Sequence, residues 1–108
     1  PITIDSIITI PSLLSLAAMK AFALGRRAKW KDYVDLYFIL RDYYTIREIS
    51  LEAENIFNRQ FSEKLFRQQL AFHKDIDYTE SIDYLDQPVS DKEIRSFLIE
   101  TSTDIFSD

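Results

Sequence analysis

The sequence contains no cysteine, one glycine, one histidine and three prolines among its 108 residues. Without cysteine there is no disulfide framework and no thiolate-held metal. One glycine and three prolines are too few for a glycine-rich phosphate loop, the turns of a β-sandwich or a flexible linker. No apolar run reaches the roughly 20 residues of a membrane span, because the longest candidate, residues 13–24, is interrupted by Lys20. No signal-peptide pattern is present. The expectation is a soluble cytoplasmic protein with no membrane partner. The chain opens on Pro1 rather than methionine, so it is expected to be a piece of a longer protein.

Hydrophobic residues make up 46% of the chain and aromatic residues 14%, which is enough for one modest core. The net charge of -5 is unevenly spread. Residues 1–31 carry Lys20, Arg26, Arg27, Lys29 and Lys31 against one acid, Asp5, for a charge of +4. The remainder carries eight basic and seventeen acidic side chains, or -9. An overall attraction to nucleic acid is therefore not expected, while a local anion site around residues 20–31 is compatible with this distribution.

Pattern predicts a mainly α protein, a bundle of about five helices with a short strand-like segment at its N-terminus. "ITIDSIITI", residues 2–10, is β-branched and partly alternating. Two strands alone are marginal, so residues 1–11 are read as joining a sheet elsewhere and residues 12–108 as the helical domain. An unpaired edge there is also expected to self-associate, which would give a dimer of the fragment. Ser12 caps a helix through "LLSLAAMKAFAL" that stops at Gly25 as its C′ residue. A second, apolar on most sides, covers about 29–42. "TIRE" (45–48) is a capping box opening a third helix to about Asn58. Ser62 opens a fourth, with Leu65, Phe66, Leu70 and Phe72 inward. "SDKE" (90–93) opens the last, which buries Ile94, Phe97 and Leu98. Between these two helices lies an acidic loop with Tyr78 and Tyr84. Its Asp75-Ile76-Asp77 reads as surface rather than as a metal site.

Three charges stand out. Lys20 has Leu16, Ala17, Ala23 and Leu24 as its helical neighbours, so its ammonium must reach a surface or an anion. Asp32 and Asp35 share one face of the second helix, and two carboxylates that close repel unless a cation lies between them. One reading is a structural ion pair of Lys20 with Asp35, Lys31 also being within reach of Asp35 at i+4. The other is a phosphate held by Lys20 with Arg26 or Arg27, the aspartates positioning those cations or a metal-bound nucleotide.

The stretch "LAAMKAFALGRRAKWKDYVDLYFIL", residues 16–40, resembles the signature of the AbiEii/AbiGii toxin family, bacterial nucleotidyltransferases of abortive-infection and type IV toxin–antitoxin systems. An "AAMK" helix is followed by an Arg/Lys-rich link and then "KDxxDL". The resemblance implies that Lys20 lies near nucleotide phosphates and that Arg26 or Arg27 supplies the basic link. It also makes Lys31, Asp32 and Asp35 the "KDxxD" set, with the two aspartates catalytic. It implies a nucleoside triphosphate donor, Mg²⁺, a nucleic-acid acceptor such as tRNA, and a cognate antitoxin. Members often carry an acid just before "LAAMK", where this chain has Ser15. The Gly-Ser turn and strand carboxylates that hold the metal in the family are not found here. The expectation is therefore a C-terminal helical portion with no metal ligands of its own, inactive without a core preceding it.

Two other readings compete. Arg67 and His73 have a spacing that resembles the Arg…His motif of helical HEPN ribonucleases, in which histidine shuttles protons on an RNA phosphodiester. A non-enzymatic helical binding module, with Tyr43, Tyr44, Tyr78 and Tyr84 exposed, is the alternative outside enzymology.

Overall fold

The computed structural model describes residues 12–72, 76 and 89–104. Among them the chain forms five α-helices: α1 (Leu13–Arg26), α2 (Trp30–Asp42), α3 (Ile46–Phe57), α4 (Glu63–Ala71) and α5 (Asp91–Thr103). A 3-10 turn, Asn58–Gln60, extends α3, and no strand occurs among the described residues. The mainly helical expectation holds. The strand-like residues 2–10, the Asp75 and Asp77 pair, His73, Tyr78 and Tyr84 lie outside the described residues.

Local signals account for most helix starts. The hydroxyl oxygens of Ser12, Ser62 and Ser90 accept from the backbone N–H three residues on, at 3.0, 3.3 and 3.1 Å. Thr45 does the same for Glu48 at 3.1 Å, and the Glu48 carboxylate accepts from the Thr45 N–H at 2.9 Å, closing the capping box. Only α2 begins without a side-chain cap, at Lys29; it has Asp32 in its first turn instead. The end of α1 departs from expectation. Gly25 lies inside the last turn with ordinary negative φ, and Arg27 is the cap. Arg27 is extended (φ -153°, ψ 122°) and donates its N–H to the Ala23 carbonyl. The chain thus turns towards α2 without the left-handed residue a glycine would supply.

α1 is the hub, packed against α2, α3 and α4. Its inward face is Ala17, Ala18, Ala21 and Leu24, and three alanines let α3 approach closely with Ile46, Ile49, Ser50 and Ala53. α2 is buried round most of its circumference by Trp30, Tyr33, Val34, Leu36, Tyr37 and Ile39. Its polar aromatic tips are also engaged. Trp30 donates from Nε1 to Asp91 on α5 at 3.3 Å, and Tyr33 donates to the Gln69 carbonyl on α4 at 3.0 Å. Tyr37 meets Phe97 edge-on at 5.0 Å, and Phe97 is partly rather than fully buried.

Two residues expected inside are outside. On α4, Phe66 and Leu70 form the buried pair at i and i+4; Leu65 lies about 100° round from Phe66 and is 59% exposed. Phe72 follows the end of α4 in extended conformation, which takes it off the helical face and leaves it 57% exposed.

Ser50 is fully buried in the alanine-lined α1–α3 contact, and its Oγ has no hydrogen-bond partner among the described residues. Ser50→Ala is expected to leave stability unchanged or raise it by up to about 1 kcal/mol, because an unsatisfied hydroxyl is removed without leaving a large void. Ala18→Leu at the same contact should cost about 1–3 kcal/mol by overpacking. Urea unfolding of the two variants checks both signs.

Candidate functional site

The three-residue link 27–29 makes α1 and α2 neighbours. Lys20 lies six residues, about 9 Å, back from the end of α1, and Asp32 and Asp35 occupy the opening turns of α2. The hairpin therefore brings them level. Lys20 Nζ is 2.8 Å from Asp35 Oδ2 and 3.4 Å from Asp32 Oδ1, so one ammonium bridges both carboxylates. This answers the electrostatic problem posed by two like charges on one helix face. The sequence suggested Asp35 alone as the partner; the bridge to Asp32 is additional.

The two carboxylates differ. Asp35 has 39% of its side chain exposed and faces the groove, whereas Asp32 is 8% exposed overall. Asp32 Oδ2 is enclosed and has no hydrogen-bond partner among the described residues. Its position in the first turn of α2 lets the positive end of the helix dipole favour the negative charge. For Lys20, burial opposes the charged form, but the hydrogen bond and charge of Asp35, reinforced by Asp32, outweigh it and hold the pKa above its ordinary 10.5. The ammonium is thus a fixed cation at neutral pH. Its contacts to the two aspartates engage two of its three N–H groups, and the third has no partner among the described residues.

Lys20, Lys31 and Asp35 open onto a groove of about 430 Å³ whose apolar walls are Leu13, Leu16, Phe38 and Ile39. Lys31 is exposed and forms no ion pair with Asp35 among the described residues, because Lys20 already holds that carboxylate. Lys20, Lys31, Asp32 and Asp35 therefore come together. Arg26 and Arg27 do not join them. Both are exposed on a separate cleft that shares no lining residue with the Lys20 groove, and the Arg26 guanidinium lies 5.4 Å from the centre of the Phe22 ring. A larger hollow, about 740 Å³ beside Phe57 and Phe61, has only the exposed Glu54 and Arg59 as charged groups.

The donor set does not fit Mg²⁺. The position between Asp32 and Asp35 is taken by the Lys20 ammonium, and no group of three or more histidine or acidic side chains among the described residues is placed to hold a metal. Where the family resemblance expects an acid, the Ser15 hydroxyl donates to Glu52 Oε2 of α3 at 2.8 Å. Glu52 was not singled out in the sequence, although its place beside Ala53 on the inward side of an amphipathic helix is a readable signal. Leu16 and Phe38 are apolar neighbours of Lys20 and Asp35 in the sequence, but nothing in a predominantly apolar helix marks them as groove walls rather than core.

Arg67 serves the fold. It pairs with Glu63 at 3.0 Å and donates from Nη1 to the Ser102 carbonyl at 3.1 Å, tying α4 to α5. Its side chain is largely buried, which removes it from an exposed RNA-cleaving pair. Of the tyrosines proposed for a binding surface, Tyr43 is exposed, while Tyr44 is partly buried against the core.

Removing the cation strands a buried carboxylate. Lys20→Met is expected to cost about 1–3 kcal/mol, below the full cost of breaking a buried pair because the cluster is partly solvated. Asp35→Asn should cost less than about 1 kcal/mol, since that side chain is already half in water. Because the folded pKa of Lys20 is raised, its contribution is complete below pH 10.5 and is lost as pH rises beyond that through the folded value. The stability gap between wild type and Lys20→Met, followed by urea unfolding, should be constant through neutrality and shrink at the alkaline end.

The sequence profile of one family, described as nucleotidyl transferase AbiEii toxin, type IV toxin–antitoxin system, matches residues 3–105. No curated protein and no solved structure matches the chain. No described helix is long and apolar enough to cross a membrane. The profile spans the Lys20–Asp32–Asp35 cluster and all five helices. The chain belongs to the AbiEii nucleotidyl transferase toxin family.

Proposed function

We propose that the groove bearing Lys20 is the phosphate-facing wall of a nucleotidyl transfer site. The observation that carries this reading is the bridged ammonium: a cation held charged by two carboxylates, with an N–H to spare, at the edge of an open groove. In nucleotidyl transfer the acceptor oxygen attacks the α-phosphorus of a nucleoside triphosphate and pyrophosphate leaves. Negative charge accumulates on the phosphate oxygens, and prepositioned cations lower that barrier. Lys20 supplies one such cation and Lys31 a second at the rim. Asp35 orients Lys20 directly, and Asp32 anchors it from behind.

The acceptor is a nucleic acid, tRNA being the candidate from family resemblance, and a cognate antitoxin is the protein partner. Mg²⁺ and its carboxylates belong to a nucleotidyltransferase core outside these residues, joined through residues 1–11, with 12–108 as the helical domain. These 108 residues alone are then inactive, and the setting is the bacterial cytoplasm.

In the whole gene product, Lys20→Ala is expected to lower transfer of a labelled nucleotide by about 100-fold or more, in line with losing one preorganised charge contact. Lys31→Gln should act mainly on KM. Circular dichroism establishes that each variant is folded. A folded Lys20→Ala enzyme of undiminished activity would overturn the reading.

A further inference from the structure

We propose that the hollow between the end of α1, the Asn58–Gln60 turn and α4 binds a neutral flat ring bearing an amide-type edge, a carboxamide or a lactam. Its volume, about 150 Å³, is that of a cavity that accepts one six-membered ring, and protein interiors hold few voids of that size. It shares no lining residue with the Lys20 groove. The walls are mostly apolar. Phe22, Phe61 and Phe66 supply rings, and Leu65 supplies an exposed apolar edge.

The polar groups narrow the ligand chemistry. No charged side chain lines the hollow, so a phosphate, a carboxylate or an ammonium would enter it without a counter-charge. Ser62 Oγ already accepts from the Leu65 N–H as the cap of α4. The side-chain amides of Gln60, on the turn, and Gln69, on α4, make no hydrogen bond among the described residues. Each offers a donor and an acceptor. Two such groups beside three phenyl rings match a ligand that is apolar on its faces and carries a donor next to an acceptor on one edge.

Two backbone features point to the same place independently of the amides. Among the described residues Asn58 is the one non-glycine residue with positive φ (φ 56°, ψ -129°), an unfavourable conformation for a residue with a side chain. It takes the chain out of α3 into the turn that carries Gln60 and Phe61 to the hollow. On the α1 wall, Gly25 lies inside the helix, where alanine would be more favourable. It has no positive φ, and a Cβ built there meets nothing within 4 Å, so neither conformation nor packing calls for glycine. A side chain at that position would take up space that a ligand needs. The proposal uses none of the residues assigned to nucleotidyl transfer and stands apart from that reading.

The experiment is a titration of the isotope-labelled 108-residue chain with benzamide, followed by amide chemical shifts, with Gly25 as the single glycine reporter. Toluene, which keeps the ring without the amide, and benzoate, which puts a charge in its place, are the comparison probes. Benzamide is expected to shift Gly25 and the side-chain amide signals of Gln60 and Gln69 saturably. It should bind about 5-fold or more tightly than either comparison probe, in line with one or two added hydrogen bonds. Gln60→Ala and Gln69→Ala should each weaken benzamide by about 3- to 10-fold and leave toluene unchanged. Gly25→Leu, which fills the hollow from the α1 wall, should raise the thermal midpoint through helix propensity while abolishing binding. A purely structural glycine would not move those two readouts in opposite directions. No saturable shift with millimolar benzamide, shifts confined to residues around Lys20, or equal affinity for toluene or benzoate would each overturn the proposal. So would benzamide affinity unchanged in both glutamine variants and in Gly25→Leu. A Lys20 variant that retained transfer would leave this result standing.

Discussion

The contact on which this structure turns is the Lys20 ammonium lodged between Asp32 and Asp35. Without it, two carboxylates would face each other beside an apolar core, one of them almost wholly buried. With it, α1 and α2 are held in one register, and the groove acquires a cation whose protonation does not vary near neutrality. Buried ion pairs are poor sources of stability because desolvation offsets much of the attraction. A fold seeking stability alone would fill these positions with leucine. Their presence beside a groove open to solvent is what the proposed phosphate contact uses.

The remaining architecture serves that hairpin. Alanines on α1 admit α3 at close range and fix one side, while Trp30, Tyr33 and Tyr37 tie α2 to α4 and α5 through their polar tips and ring edges. Arg67 adds a clamp between α4 and α5. The walls of the groove are thus parts of helices whose opposite faces are core, so the positions of Lys20 and Asp35 are set by packing rather than by a loop.

Helix starts were legible because they are local: a Ser or Thr hydroxyl needs only the N–H three residues on, and all four capped starts follow that spacing. The Lys20–Asp35 pairing was legible because an ammonium among leucines and alanines has few solutions. Helix ends were less so. Gly25 invited a left-handed cap, yet the Arg27 N–H reached the Ala23 carbonyl from an extended conformation, an outcome decided by where α2 lies. Leu65 and Phe72 are apolar residues that lie off the buried face, and hydrophobicity alone does not reveal that. The separation of Arg26 and Arg27 from the Lys20 groove is a three-dimensional fact, since adjacent residues in a link can face different clefts. The family signature in residues 16–40 was the most informative feature, and the profile match over residues 3–105 extends it to nearly the whole chain.

The most direct test of the central claim is a structure of the whole gene product with a non-hydrolysable nucleoside triphosphate. The account predicts that Lys20 Nζ keeps its contact with Asp35 and places its remaining N–H about 2.7–3.2 Å from a phosphate oxygen. Phosphates bound elsewhere, with all three Lys20 N–H groups turned inward, would make the cluster a structural element and contradict its assignment to the site.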